Sequence, residues 1–156
     1  MDKKYAPEEA KAINLKDGYF ITQYIYLRNR YADLLLTSPV SLRKTKEWLK
    51  KNEIEIYGLA EDNVLLGAII LYMDSDGEVA FFARYPNRGI GSGLLKIIEE
   101  VARKKGLRFI WGWVLKDNLI ARRAFEKNGF TEAEGSAREY KGINKEGISY
   151  RKFLDG

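Results

Sequence analysis

The sequence predicts a single α/β domain built on a mixed sheet, and three observations carry that reading. The chain has 156 residues, enough for one domain with little room for a second. Apolar residues at 46% and charged residues at 31% are the proportions of a chain that buries a core, far from disordered or fibrous extremes. The clearest stretch runs strand, glycine-rich turn, helix, strand, helix, which implies local parallel pairing among antiparallel hairpins.

Each element has its own justification. Residues 1–12 are polar and expected to fray, leaving 13–156 as the domain. Residues 19–36 mix aromatics and leucines with Arg28, Asn29 and Arg30 and begin as a helix. Ser41 caps a second helix that runs through Trp48 and Leu49 and stops near Asn52. Residues 54–60 and 64–73, joined at Glu61-Asp62-Asn63, form a hairpin whose second strand is apolar throughout and so buried on both faces. Asp74-Ser75-Asp76-Gly77 turns into a strand over 78–84.

After the glycine-rich stretch 87–93, residues Leu94, Ile97, Ile98, Val101 and Ala102 repeat at helical spacing. Glu99–Arg103 and Glu100–Lys104 are acid-before-base pairs on the outer face. Gly106 stands where a left-handed stop is wanted. Residues 107–114 form a strand. Asp117 or Asn118 then caps a short helix ending at Gly129, beyond which Phe130 folds back on Phe125. Strands near 130–140 and 148–154, carrying Tyr140 and Tyr150, complete the domain. No repeat or composition shift divides it.

Composition removes several chemistries. With no cysteine, disulfides, thiol nucleophiles and cysteine-ligated zinc or iron–sulfur sites are excluded. With no histidine, the Ser-His-Asp triad, the usual transition-metal ligand and the commonest general base go as well. Acid–base work falls to carboxylates, tyrosines, lysines, backbone groups or water, and no metal is expected.

The net charge is +5. Its basic residues are interleaved with acids (Lys96, Glu99, Glu100, Arg103, Lys104), the pattern of solvated faces and not of a nucleic-acid surface. The longest apolar stretch, 64–73, is about half the ~20 residues of a membrane span. No apolar signal region follows Met1-Asp2-Lys3-Lys4. A cytoplasmic protein is expected, without nucleic-acid or membrane partners. A homodimer is the assembly considered.

Arg88-Gly89-Ile90-Gly91-Ser92-Gly93, between a strand and a helix, has the layout of an anion cradle. Glycines let the backbone approach closely with its N–H groups outward, and the helix N-terminus adds positive potential. A dinucleotide fingerprint beginning at Gly89 needs glycine where Leu94 stands. A P-loop needs Gly-Lys-Ser/Thr, and Gly93 is followed by Leu94-Leu95. A nucleophile elbow around Ser92 needs glycine where Ile90 stands, and a histidine. A bare strand-to-helix turn without a ligand stays open on the loop alone.

Three segments in order resemble the GNAT N-acetyltransferase superfamily. They are Pro86-Asn87-Arg88-Gly89-Ile90-Gly91-Ser92-Gly93-Leu94-Leu95, then Val114-Leu115-Lys116-Asp117-Asn118 with Ala121, then Phe125-Glu126-Lys127-Asn128-Gly129-Phe130. The resemblance is strongest over 78–130. It implies a mixed, mostly antiparallel sheet flanked by helices and splayed between its fourth and fifth strands, with acetyl-CoA as cosubstrate in the splay. It implies that the backbone N–H groups of Arg88, Gly89, Ile90, Gly91, Ser92 and Gly93 hold the pyrophosphate. Phe82, Ala83 and Arg84 would pair with the pantetheine amides, Asn118 would contact the pantetheine arm, and Ala121 would keep its helix close. Alternatively Asn118 is only a helix cap and Phe82 only core.

Two positions depart from the family pattern. Pro86 stands where the family usually carries Arg or Gln, with Arg88 nearby. Phe125 stands beside the cofactor where the family often places a tyrosine that protonates the leaving thiolate. A phenyl ring has no proton to give. A thiol resembling cysteine, with pKa about 8.5, leaves tolerably as thiolate, and water or Tyr140 could take over the role. Glu78 opens a strand that looks like the catalytic strand of the histone-type branch, which makes it the candidate base. Its plain reading is a residue closing a Ser-Asp-Gly turn.

Leu27-Arg28-Asn29, followed by Trp48-Leu49, looks like the pattern of acetyltransferases acting on nucleotide-linked amino sugars. Gly129-Phe130, Glu134-Gly135 and Arg138 echo that branch and the ribosomal-protein acetyltransferases. The expected function is acetyl transfer from acetyl-CoA to a primary amine, on an amino sugar, another small amine or a peptide. Alternatives are a protein N-terminal acetyltransferase and a non-catalytic CoA-binding module. A basic nucleic-acid binder has no motif of its own here.

Overall fold

The computed structural model describes residues 10–154. The elements are β1 (Lys11–Asn14), α1 (Ile21–Arg30), α2 (Ala32–Leu35), α3 (Leu42–Trp48), β2 (Ile54–Glu61), β3 (Val64–Tyr72), β4 (Glu78–Ala83), α4 (Ile90–Lys104), β5 (Phe109–Leu115), α5 (Leu119–Lys127), β6 (Thr131–Tyr140) and β7 (Ile143–Phe153). The strands form one sheet in the order β1-β2-β3-β4-β5-β7-β6.

The apolar run of β3 lies inside the sheet because both of its faces are covered. On one face Leu66, Ile69 and Leu71 pack with Leu94, Leu95 and Ile98 of α4. On the other, Leu65, Ala68 and Ile70 pack with Tyr24 and Leu27 of α1. From Ala68 to Leu71 that alternation is the period of two of a strand with helices above and below, and a bulge opposite Leu59 and Ala60 shifts the phase by one residue between Leu66 and Ala68.

Local chemistry sets the helix ends. The Ser41 hydroxyl accepts from Lys44 N at 3.2 Å and caps α3. Gly106, at φ +78°, closes α4 while Leu107 N donates to Ala102 O. Of the two caps considered for α5, Asn118 is the one used: its Oδ1 accepts from Ala121 N at 3.3 Å. At the far end Gly129 adopts φ +85° and Phe130 N donates to Phe125 O at 3.0 Å. The Phe125 and Phe130 rings meet edge to face, 4.9 Å apart.

The boundaries at the two ends of the chain differ from the sequence reading. Lys11 and Ala12, assigned to a fraying segment, pair with Ala60 and Leu59 as edge strand β1; residues 1–9 lie outside the described residues. The last strand starts at Ile143, not near 148, after a two-residue turn at Lys141-Gly142 with φ +52° and +78°. The tip of that hairpin is mostly exposed, so its residues carry no apolar alternation to read.

Glu99 joins three elements. Its carboxylate accepts from Arg103 at 2.9 Å within α4 and from Lys152 of β7. Lys152 also donates to Asn128 O at 2.8 Å, beyond α5. Burial pushes the Glu99 carboxyl up, but the hydrogen bonds from Lys152 and Arg103 outweigh it and hold the group below its ordinary 4.5. A carboxyl lowered in the fold stabilises above its unfolded pKa and loses that contribution as pH falls through its folded pKa. Glu99→Gln is therefore expected to lower stability by roughly 1 kcal/mol at pH 7. Urea melts across pH should show the deficit closing as pH drops below 4.5.

Candidate active site

β4 and β5 run parallel and pair at Glu78–Trp111 alone among the described residues. Trp111 N donates to Gly77 O at 3.1 Å there. Beyond that point the strands part, and a groove of about 530 Å³ opens between the end of β4 and α5. Its volume falls in the range of small-molecule sites. Phe81, Phe82 and Ala83 form one wall, the segment after β4 forms the end, and Tyr31, Leu34 and Leu35 close the side toward α1 and α2.

The end of the groove is the N-terminus of α4. The helix begins at Ile90, inside the glycine run, with Gly89 at φ +76° as a cap that has no side-chain hydrogen bond. Gly93 N already donates to Gly89 O at 3.1 Å. The N–H groups of Ile90, Gly91 and Ser92 therefore precede the first helical bond, at the positive end of a 15-residue helix. Gly91 is required by packing as well, because a Cβ there would lie 2.9 Å from Cε2 of Phe81. Asn128 Nδ2 donates to the Ser92 hydroxyl at 3.1 Å and ties the cradle to the end of α5.

Arg88, Gly89, Ile90, Gly91 and Ser92 line the groove, with Phe82, Ala83, Asn118 and Ala121. Phe82 is both wall and core: it is buried and touches Tyr24 and Tyr31 at 5.7 and 6.3 Å. Asn118 likewise joins its two readings, since it caps α5 through Oδ1 and faces the groove.

Three expected residues are placed otherwise. The Arg84 backbone N–H donates to Leu66 O of β3 at 2.6 Å and so is not free to pair with an added strand, and its side chain donates to Leu65 O at 2.7 Å and Gln23 Oε1 at 2.9 Å. The Gly93 N–H is consumed inside the helix. Phe125 is 1% exposed, stacked on Tyr150 at 5.3 Å and edge-on to Phe81 at 5.4 Å. It is core, and its ring tip reaches Gly112 of β5. The sequence reading also missed Arg123 and Lys127, which line the groove from α5. Their signal was helical spacing, since 120, 123, 124 and 127 share a face.

Glu78 lies where β4 and β5 meet. Arg138 of β6 donates to its Oε2 at 3.1 Å, and the guanidinium covers the Trp113 ring at 4.7 Å. Tyr140 is not at the thiolate position considered for it: its hydroxyl donates to Asp33 Oδ1 at 2.9 Å, with Thr37 O at 3.1 Å. Tyr150, the phenol against Phe125, donates to Glu126 and accepts from Arg122, both at 3.0 Å. Burial pushes its pKa up, which weakens it further as a proton donor. Asn29 and Trp48 are structural: Asn29 clasps both backbone groups of Val40, and Trp48 stacks on Tyr24.

With fold and groove in view, the class of protein is settled. The chain belongs to the acetyltransferase (GNAT) family, whose model matches residues 22–130. It is similar in structure to a ribosomal-protein-alanine N-acetyltransferase from Brucella melitensis, at TM-score 0.82 and 14% identity, covering 92% of this chain and 99% of that one. It is similar to a spermidine N-acetyltransferase from Vibrio cholerae solved with CoA and spermine, at TM-score 0.81 and 15% identity over 94% and 96%. A third similar structure is a putative acetyltransferase from Acinetobacter baylyi, at TM-score 0.84 and 14% identity over 99% and 95%. At these identities the likeness is one of fold. Comparison with curated proteins finds no sequence match. No helix among the described residues is long and apolar enough to cross a membrane.

The position of Phe125 makes a packing prediction. A Cβ on Gly112 would fall 2.4 Å from Phe125 Cζ and 3.2 Å from Val79 O. Gly112→Ala is expected to destabilise by about 1–3 kcal/mol through overpacking, read as a lower urea midpoint. An unchanged midpoint would show that the ring tip does not fill the parting of the strands.

Proposed function

We propose that this protein transfers an acetyl group from acetyl-CoA to a primary amine of a small molecule or peptide. The observation that carries the reading is the uncapped N-terminus of α4, facing a groove where β4 has lost its neighbour. Ready-made N–H donors at a helix N-terminus fit a pyrophosphate. Acetyl-CoA, when bound, supplies the acetyl group as a thioester open to direct attack by the amine.

The chain's own residues take up the other roles. The N–H groups of Ile90, Gly91 and Ser92, with those of Arg88 and Gly89, hold phosphate oxygens, and the Arg123 and Lys127 charges add attraction. The backbone of Phe82 and Ala83, left without a β5 partner, accepts and donates to an extended arm as an added strand would. The Asn118 amide donates to the same arm and Ala121 gives it room. Glu78 receives the proton of the incoming ammonium. Position 125 supplies none.

Phe125 favours a second reading, a module that binds CoA without turnover. Thiol release from acetyl-CoA in a panel of amines separates the two, because only the first releases thiol.

Calorimetry tests the cradle. Gly91→Asn and Gly91→Asp meet the same Phe81 edge and are isosteric, so the difference between them isolates charge. Gly91→Asp is expected to bind acetyl-CoA about ten-fold more weakly than Gly91→Asn. Equal binding would place the pyrophosphate elsewhere. Kinetics test the base. Glu78→Gln is expected to lower kcat by about 10²-fold near neutrality while acetyl-CoA affinity holds. The deficit should shrink as pH approaches the amine's own pKa, where free base is abundant. Unchanged turnover returns Glu78 to its place as a turn residue.

A further inference from the structure

Three cations line the groove without a counter-charge. Arg88 stands half-buried just before α4, and Arg123 and Lys127 stand exposed on α5. None of the three side chains makes a hydrogen bond or ion pair among the described residues. The neighbouring positions of α5 show the contrast. Arg122 and Glu126, also four apart, meet through the Tyr150 hydroxyl, which accepts from the first and donates to the second at 3.0 Å each. Arg122 also pairs with Glu132 at 3.4 Å. Glu126 is the acid among the groove's lining residues, so its carboxylate is already engaged by β7. Like charges four apart on a helix repel, and the helix dipole favours only Lys127, in the last turn.

The place of the pair suggests what offsets that repulsion. Ala124, beside Arg123, packs on the head of α4: a Cβ on Gly91 would lie 3.6 Å from its own. Asn128, next to Lys127, donates to the Ser92 hydroxyl at 3.1 Å. Both cations therefore leave α5 at the rim of the amide cradle. CoA brings two kinds of phosphate to such a place. Its pyrophosphate is singly charged on each phosphorus and suits the N–H groups of Ile90, Gly91 and Ser92, with Arg88 half-buried before them. Its 3′-phosphate, on the adjoining ribose, is a monoester with a charge of about −1.5 to −2 near neutrality and three acceptor oxygens. Side chains four apart on a helix are about 5–6 Å apart at Cβ, so a guanidinium and an ammonium can converge on one such group. We propose that Arg123 and Lys127 hold the 3′-phosphate of CoA, so that the donor is selected by that phosphate as well as by its thioester. The inference rests on the acetyl-transfer reading and deepens it.

Calorimetry with CoA and 3′-dephospho-CoA, which differ by that one phosphate, decides it. The proteins are wild type, Arg123→Gln, Lys127→Gln, the double variant, and Lys104→Gln, which removes the same charge from the last turn of α4. Wild type is expected to bind CoA about ten-fold or more tightly than 3′-dephospho-CoA. Each single variant at the rim should lower that ratio, and the double variant should bring it toward one while 3′-dephospho-CoA binding holds. Lys104→Gln should keep the wild-type ratio. The ratio compares two ligands on one protein, so a loss of stability alone does not move it.

Equal affinity of wild type for the two ligands overturns the proposal. So does an equal loss for both in the double variant, which would put the pair on the pyrophosphate, and so does a fall in the ratio in Lys104→Gln as large as in Lys127→Gln, which would make the selection a diffuse field. Each of these leaves the acetyl-transfer reading standing. Binding of neither ligand by wild type overturns that reading and the subsite together. Turnover is not required, so a module that binds CoA without acetylating anything gives the same decision.

Discussion

Strands β4 and β5 meet at Glu78–Trp111 and then part, and the arrangement of every other element answers to that opening. A parallel pair left to itself would go on hydrogen bonding, because unpaired backbone groups are costly away from water. Phe125 of α5 packs on the sheet beside the point where they part. Its ring lies against Phe81, Phe130 and Tyr150, and its tip takes the space a side chain on Gly112 would need. The ring and the glycine are complementary. That burial explains why position 125 offers no chemistry: a phenyl ring buried in the core is not a solvated proton donor.

The opening would be of little use if its walls could slide. α4 is anchored at its start by Asn128 donating to Ser92 and further along by Lys152 holding Glu99. Both ties lead to the end of α5, whose stop at Gly129 brings Phe130 back onto Phe125. The amides at the head of α4 and the side chains of α5 that line the groove thus belong to one rigid frame. A cradle of backbone donors needs that rigidity, since its strength depends on several N–H groups converging at once.

What the sequence shows and hides follows from how local each feature is. The α4 periodicity, the stops at Gly106 and Gly129 and the caps at Ser41 and Asn118 are set within a few residues, and all were legible. Strand β1 exists because β2 offers it an edge, which four residues of their own cannot announce. Arg84 was read with Phe82 and Ala83 as backbone open to an added strand, but its N–H is taken by Leu66 O of β3, a pairing the local sequence does not announce. Gly93 was misplaced by one turn because a glycine run does not mark where helical bonding begins.

Two parts of the fold around the groove are built by different forces. The packing of α4 and α5 on the sheet is apolar, around Leu94, Ile98, Phe125 and Phe130, which is insensitive to salt and tolerates little change. The part formed by β6 with α1 and α2 is held by polar contacts: Arg138 on Glu78, Tyr140 on Asp33, and Arg28 on Thr37. Strand β6 is largely exposed, so it has little buried apolar surface to fix it and depends on those contacts. Partly exposed ion pairs and single hydrogen bonds contribute about 1 kcal/mol each, so this part can be rebuilt by a few substitutions without unfolding the sheet. A frame that is stiff in its apolar packing and adjustable at its polar edge keeps one fold while that edge changes.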